Sequence, residues 1–284
     1  MEDRPDISLV MCTRNRAERL ACSLGHLQAL EPGVAWEAVL VDNGSTDATP
    51  AVLAEFVAAQ PRARVLPVPQ PGISRARNAG WRAARGRIVA FTDDDCYAAP
   101  DFLRRVLDCF TDAPSLGYLG GRVLLHDPAD YPITVQHLDR RLEFPARRYV
   151  RPGLLHGANF SARRDALEAV GGFDERLGAG TPLQGAEDTD LILQLSAHGF
   201  SGAYDPRPTV RHHHGRRTPE AVSRLKQVYA FGDGAMYAKG ISNRRTLPLF
   251  AWPVVRRIGG NLVRADVGTL KQELRGAYHY FASR

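Results

Sequence analysis

No run of apolar residues in this 284-residue chain is long enough to cross a bilayer; the longest near the end, Leu247 to Val255, is broken by Pro253. The opening residues, Met1-Glu2-Asp3-Arg4-Pro5, are polar and acidic, without the basic-then-apolar pattern of a signal peptide. The four cysteines, Cys12, Cys22, Cys96 and Cys109, show no CxxC spacing, which argues against a zinc site or a disulfide framework. Internal repeats and low-complexity tracts are missing. So are helix-turn-helix and RNA-binding signatures, and the basic residues are not interleaved with an aromatic stacking platform. These absences lead us to expect a cytoplasmic protein without a nucleic-acid partner.

What is present is ordinary in amount and uneven in placement. Hydrophobic residues make up 44% and charged residues 24%, enough for a sizeable core. The net charge is +6. From Arg211 onward fourteen Lys/Arg face four Asp/Glu, so the preceding residues sum to −4. A basic tail of this kind is either a solvated helical face or a contact for an anionic partner such as membrane headgroups or a lipid phosphate.

The first half alternates short apolar runs with helical stretches. Strands are expected at Ile7–Cys12, Trp36–Val41, Arg64–Val68 and Ile88–Thr92. Helices are expected from an Asn15 cap to about Gln28, after Pro50, over Ser74–Ala84 and after Pro100. This alternation predicts a mainly parallel sheet with crossover helices, and ligands bind such sheets beyond the carboxyl ends of the strands. The second half is less regular: a loop over Gly153–Phe160, a short helix over Arg163–Val170 stopped by Gly171-Gly172, and a helix opening at Glu187-Asp188. Ser201–His214 contains Pro206 and Pro208 and reads as an edge strand or extended loop. A long helix follows from Thr218-Pro219-Glu220 to about Lys239.

Two acidic clusters fall at the predicted carboxyl ends, Asp42 after the second strand and Asp93-Asp94-Asp95 after the fourth. Adjacent carboxylates repel one another unless a cation compensates them. Turns and helix caps also use aspartate, so the triplet alone leaves both readings open. Oxygen ligands favour Mg²⁺ or Mn²⁺.

With these elements in place the sequence resembles the family 2 glycosyltransferases. Five segments carry the resemblance, in order: Cys12-Thr13-Arg14-Asn15-Arg16, Val41-Asp42-Asn43-Gly44-Ser45-Thr46-Asp47, Gly72 to Gly80, Phe91 to Asp95, and Gly171-Gly172-Phe173-Asp174-Glu175 followed by Glu187-Asp188-Thr189-Asp190. The resemblance implies an α/β GT-A fold, a nucleotide-diphosphate sugar as donor substrate and a divalent cation, Mn²⁺ or Mg²⁺. It places Thr13, Asn15, Arg16, Asp42, Arg77, Asn78, Asp93 and Asp94 around the donor. Asp42 would recognise the nucleotide base, Arg77 the diphosphate and Asp93 the ribose, while Asp94 faces elsewhere. Asp95 and Asp93 would hold the metal, joined by one of His212-His213-His214; His212 has the matching offset from Val210. Asp188 corresponds to the catalytic base of an inverting transfer, and Glu187 to a neighbour positioning the acceptor. Both acids would also suit a helix N-terminus with no catalytic role.

The sequence departs from processive synthases of this family, since Gln227 to Phe231 lacks the Q-x-x-R-W signature. Transfer of single sugars is therefore expected, in glycan, polysaccharide or glycolipid biosynthesis. A sugar-nucleotide nucleotidyltransferase is the alternative, disfavoured because no Gly-rich phosphate loop follows the first strand. We expect a catalytic domain over 1–240 and a basic helical extension over 241–284. In the extension Val267, Leu270, Leu274, Tyr278 and Phe281 follow near-helical spacing, among polar positions Arg264, Lys271 and Arg275. That stripe would pack on the catalytic domain, form a homodimer or lie on the inner face of a membrane. Acceptor specificity is expected in 125–156 and 176–186.

Overall fold

The computed structural model describes residues 4–263 and 266–283. Arg264, named above among the polar positions of the extension, and Met1 to Asp3 of the opening pattern lie outside the described residues. A single mixed sheet organises the chain. Its parallel half contains β1 (Ile7–Thr13), β2 (Trp36–Asp42), β3 (Ala63–Pro67) and β4 (Ile88–Asp93) in the order β3-β2-β1-β4. Crossovers are supplied by α1 (Ala17–Gln28), α2 (Thr49–Ala59) and α3 (Ile73–Ala83). β1 is buried along its whole length, as strands covered on both faces must be, and hence reads as a continuous apolar run. At Gly80 of α3 any Cβ would overlap Val10 and press on Val41, so the missing side chain lets the helix sit close on β1 and β2.

The other half mixes antiparallel pairs with a parallel ladder between its two longest strands. After β5 (Cys96–Ala98) and α4 (Phe102–Asp112) come β6 (Leu116–Leu125), β7 (Leu142–Phe144) and β8 (Asn159–Arg163). Then follow α5 (Arg164–Val170), α6 (Glu187–Ala197) and β9 (Ser201–His212). β8 runs antiparallel between β4 and β6, while β9 pairs with β6, β5 and β7. α7 (Pro219–Ser242), α8 (Leu247–Val263) and α9 (Val267–Ala282) close the chain. Apolar clusters fill both faces of the sheet, and a smaller one joins Leu177 and Leu183 to Phe231, Ala235 and Ala238 of α7 and Tyr280 of α9.

Several expectations need correction. Asn15 does not cap α1, which starts at Ala17 with no side-chain cap. Asn15 instead adopts a left-handed backbone (φ 52°), and its Oδ1 accepts a 2.8 Å hydrogen bond from the Thr46 amide, tying two loops together. The loop from Gly153 gives way at Asn159 to β8, which carries Phe160. β9 is no edge strand. Its prolines are tolerated because the β6–β9 register breaks between Tyr204 and Thr209, so Pro206 and Pro208 sit in an irregularity where no ladder donor is needed. The apolar stripe of α9 does not pack on the catalytic body. Glu273, Gly276 and Tyr280 do so, leaving Val267, Leu274 and Tyr278 exposed.

Candidate active site

The carboxyl ends of β1, β2 and β4 lie side by side. Register places Thr13 opposite Asp42 and Cys12 opposite Asp93, so three loops open on one rim. The turn after β2 is built by its own side chains: Asp42 Oδ1 accepts from the Ser45 amide at 3.1 Å. Asn43 Nδ2 donates to the Gln70 carbonyl at 2.8 Å, and Asn43 Oδ1 accepts from the Gly72 amide at 2.8 Å. Asn43 thereby fixes the entry to α3. Gly44 has φ +71° and no room for a Cβ beside the Pro69 carbonyl, so this turn requires glycine.

Each member of the aspartate triplet has a different partner. Asp93 Oδ1 accepts from Arg77 Nη2 at 2.8 Å. Asp94 turns back to β1, where Thr13 Oγ1 donates to its Oδ2 at 2.6 Å, and Arg16 Nε lies 3.6 Å from its Oδ1. Burial outweighs these contacts and pushes the Asp94 carboxyl up to about 6. Asp95 Oδ1 sits 3.4 Å from His212 Nε2. Burial would raise Asp95, but the His212 contact and then the charges of His212 and Arg16 hold it below the usual carboxylate range.

His212 is aimed by its far side. Its Nδ1 lies 3.1 Å from Thr134 Oγ1 and 3.4 Å from the Thr134 carbonyl, which turns Nε2 toward Asp95. Burial depresses its pKa, yet the Asp95 contact outweighs that and raises it. The three histidines alternate: the His212 and His214 rings touch, while His213 meets the Tyr97 hydroxyl. Asp95, Cys96 and His212 bring ligand atoms within 4.8 Å of one another, the one such group found among the described residues. A carboxylate facing an imidazole nitrogen whose other nitrogen is anchored to a carbonyl is a donor set that fits a divalent cation.

Arg77 joins this rim to the start of α6. It is 4% exposed, with Nη2 on Asp93 and Nη1 on Glu187 Oε1 at 2.9 Å, over the Phe173 ring. The diphosphate contact expected of it therefore competes with two carboxylates that already occupy the fork. Burial, then the charge of Asp188, raises Glu187 to about 7. Asp188 is oriented by backbone: its Oδ2 accepts from the Gly157 amide at 2.9 Å and its Oδ1 from the Thr189 amide at 2.7 Å.

These residues line two adjoining cavities. One, of about 440 Å³, is bordered by Thr13, Arg16, Arg77, Asp93, Asp94, Asp95, Glu187 and His212. The other, of about 390 Å³, adds Asp188 and shares Arg77, Asp93, Glu187, His212 and Tyr229 with the first. Asn15, Asp42 and Asn78 line neither. Asn78 is 1% exposed; its Nδ2 donates to the Phe173 carbonyl at 2.9 Å and its Oδ1 accepts from the Phe173 amide at 2.9 Å and from Trp81 Nε1 at 3.0 Å. It clasps the Gly172-Phe173 turn and reaches neither cavity.

Sequence reasoning missed part of the lining. Ala179, Gly180, Gln184 and Gly185 border the first cavity, and Pro152, Gly153, Leu155 and His156 the second, as the two segments expected to set specificity would. Val228 and Tyr229 of α7 and Asp233 and Arg257 further on belong to no recognised motif. Val228, Tyr229 and Asp233 lie in or beside the Gln227 to Phe231 region that lacks Q-x-x-R-W, while Arg257 carries no sequence signal. His156 stands out: burial lowers its pKa, and its Nε2 is buried without a hydrogen-bond partner.

Residues 8–171 match the family model described as glycosyl transferase family 2. The chain belongs to that family. It is 40% identical over 105 residues to the succinoglycan biosynthesis protein ExoO of Rhizobium meliloti, covering 37% of this chain and 29% of that protein. It is 29% identical over 203 residues to the β-monoglucosyldiacylglycerol synthase of a Synechocystis strain, covering 68% of this chain and 41% of the synthase. This family 2 chain thus spans less than half the length of either curated relative. Among solved structures, the mannosyltransferase PcManGT of Pyrobaculum calidifontis, in complex with GDP-Man and Mn²⁺, superposes with a TM-score of 0.67 at 20% identity. That match covers 100% of this chain and 77% of the other, and it assigns the GT-A fold with a helical C-terminal extension.

Proposed function

We propose that this family 2 chain is a metal-dependent, inverting glycosyltransferase of the hexosyltransferase kind, acting in the cytoplasm in glycan, polysaccharide or glycolipid biosynthesis. It moves one sugar from a nucleotide-diphosphate donor to an acceptor hydroxyl. The observation that supports this reading most directly is the pair of adjoining cavities, with the acidic rim on one side, Asp188 on the other and Arg77 between them. Residues 1–240 form the catalytic domain in this reading and 241–284 an extension packed on α7.

Asp95, Asp93 and His212 are the residues that would hold Mn²⁺ or Mg²⁺. When bound, the cation neutralises charge on the diphosphate leaving group. The chain's own residues do the rest. Thr13 and Arg16 fix Asp94 so that the rim keeps its shape around the donor. Asp42 serves the base through Oδ2, since Oδ1 is held in its turn. Arg77 positions Asp93 and Glu187 and keeps both carboxylates compensated. Asp188, with two backbone amides fixing its direction, takes the proton of the attacking hydroxyl. Glu187, raised to about 7, is a ready hydrogen-bond donor toward an acceptor oxygen. Asn15 and Asn78 frame the site without touching it.

The decisive experiment pairs two substitutions. Asp188→Asn should lower the rate of transfer about 10²–10⁴-fold while nucleotide-sugar binding persists. Asp95→Ala should abolish the Mn²⁺ enhancement of nucleoside diphosphate binding, read by calorimetry. Full transfer by the first variant removes Asp188 as base; unchanged Mn²⁺ dependence in the second removes the metal assignment.

A further inference from the structure

Nine of the eleven large apolar residues exposed among the described residues lie after residue 240, from Ile241 to Phe281. The same stretch contains the chain's entire net charge. Residues 241–284 hold eight Lys/Arg and two Asp/Glu, which is +6, so residues 1–240 sum to zero. Both acids are engaged within the extension: Asp266 caps α9 at the Thr269 amide, and the buried Glu273 pairs with Arg257 at 2.7 Å.

The placement within each helix is amphipathic but inverted. α9 turns Glu273, Gly276 and Tyr280 to the protein. Outward it presents Val267 at 71%, Leu274 at 60% and Tyr278 at 70% exposure, with Lys271 and Arg275 alongside in one open groove. α8 packs through Phe250 and Val254 and exposes Trp252 at 66% and Val255 at 59% next to Arg256. Isolated exposed apolar side chains need no explanation, whereas contiguous patches rimmed by charge mark a binding surface. Two occupants suit an apolar face, a second copy or a lipid surface. A second copy would bring two basic faces of the same sign together. An anionic headgroup layer compensates that charge and takes Trp and Tyr at its boundary with the acyl chains.

We infer that the outer face of α8 and α9 docks this protein on an anionic lipid bilayer, lying along it without crossing. Among the described residues no helix is long and apolar enough to span a membrane. Arg257, on the inner side of α8, also lines the cavity that contains Asp188.

The test uses the full chain, sedimented with phosphatidylglycerol vesicles and separately with phosphatidylcholine vesicles, in the absence of any nucleotide sugar. Its result is therefore independent of the catalytic reading. The chain should pellet with the first and stay in solution with the second, and raised salt should release it. Leu274→Ser with Tyr278→Ser, and Lys271→Glu with Arg275→Glu, should each weaken binding about tenfold or more. Thermal melting confirms that these exposed substitutions leave the fold intact. Recovery in the supernatant with both vesicles overturns the inference, as does undiminished binding by both variants. So does a dimer, seen by light scattering, that Leu274→Ser with Tyr278→Ser dissolves while vesicle binding is lacking.

Discussion

The rim around Arg77 and the outer face of α8 and α9 handle charge in opposite ways. At the rim, opposite charges are buried against one another, and each side chain is held by a named partner. On the outer face of the helices Lys271 and Arg275 lie in the open beside apolar side chains, while Arg257 is turned inward to Glu273. The first arrangement makes geometry rigid at the expense of desolvation; the second leaves surface unsatisfied until something anionic arrives. The two regions meet at α7, which packs against α6 on one side and α9 on the other.

That contrast can be broken at three points, in decreasing order of effect. Arg77→Met leaves Asp93 and Glu187 uncompensated and should lower unfolding free energy by about 3–5 kcal/mol in urea titration, the penalty for orphaning a buried pair. A loss under about 1 kcal/mol would mean the rim is wet and tolerant. Gly276→Leu acts on the junction. A Cβ there would overlap the Phe231 carbonyl, and one at Gly234 the Glu273 carbonyl, so α7 and α9 touch backbone to backbone. Overpacking of this kind typically costs about 1–3 kcal/mol. Hydrogen exchange should show α9 losing protection while β1 and β4 keep theirs, and equal loss in both would make the extension inseparable from the sheet.

The smallest effect is one of pH. Burial, with Arg257 opposing it, raises Asp233 from 3.8 to about 7. A raised folded pKa means that this group's contribution is complete below about pH 4 and is lost as pH climbs to 7. Asp233→Asn removes the titration. The variant should melt about 2–4 °C higher than the wild type at pH 8, the shift that 1 kcal/mol gives a domain of this size, and no higher at pH 4. Identical melting profiles from pH 4 to 8 would show that Asp233 is hydrated.

Much of the rim was legible in the sequence because strand ends and turns are written locally. Apolar runs located β1 to β4 and put Asp42 and Asp93 to Asp95 at their carboxyl ends, and the resemblance to the family added Thr13. Glu187 at the start of α6 was legible for the same reason. What stayed hidden depends on distant pairing. β6 reads Leu-Gly-Tyr-Leu-Gly-Gly, without alternation, because Gly117, Gly120 and Gly121 lie against Phe200, Leu155 and Asn159 of remote segments. Asn15 and Asn78 sit in motifs that match the family, yet their hydrogen bonds go to Thr46 and Phe173, and only the fold reveals it. The stripe on α9 has the right period in the sequence, but that period left open whether it packs on the protein, pairs with a second copy or lies on a membrane. Periodicity gives a face but not a direction, and here small and polar residues took the inner side.

Arg77 has one further consequence, which concerns protons. The guanidinium draws Glu187 toward ionisation, while the charge on Asp93 pushes it toward the protonated form. A cation and donor that settled on Asp93 would cancel that push, leaving Arg77 opposed by burial and the charge of Asp188. Donor binding near neutral pH is therefore predicted to release a fraction of a proton from the acceptor side. Calorimetric titrations in buffers of different ionisation enthalpy measure that number directly, and a value unchanged by Glu187→Gln would show that the two cavities do not communicate through this side chain.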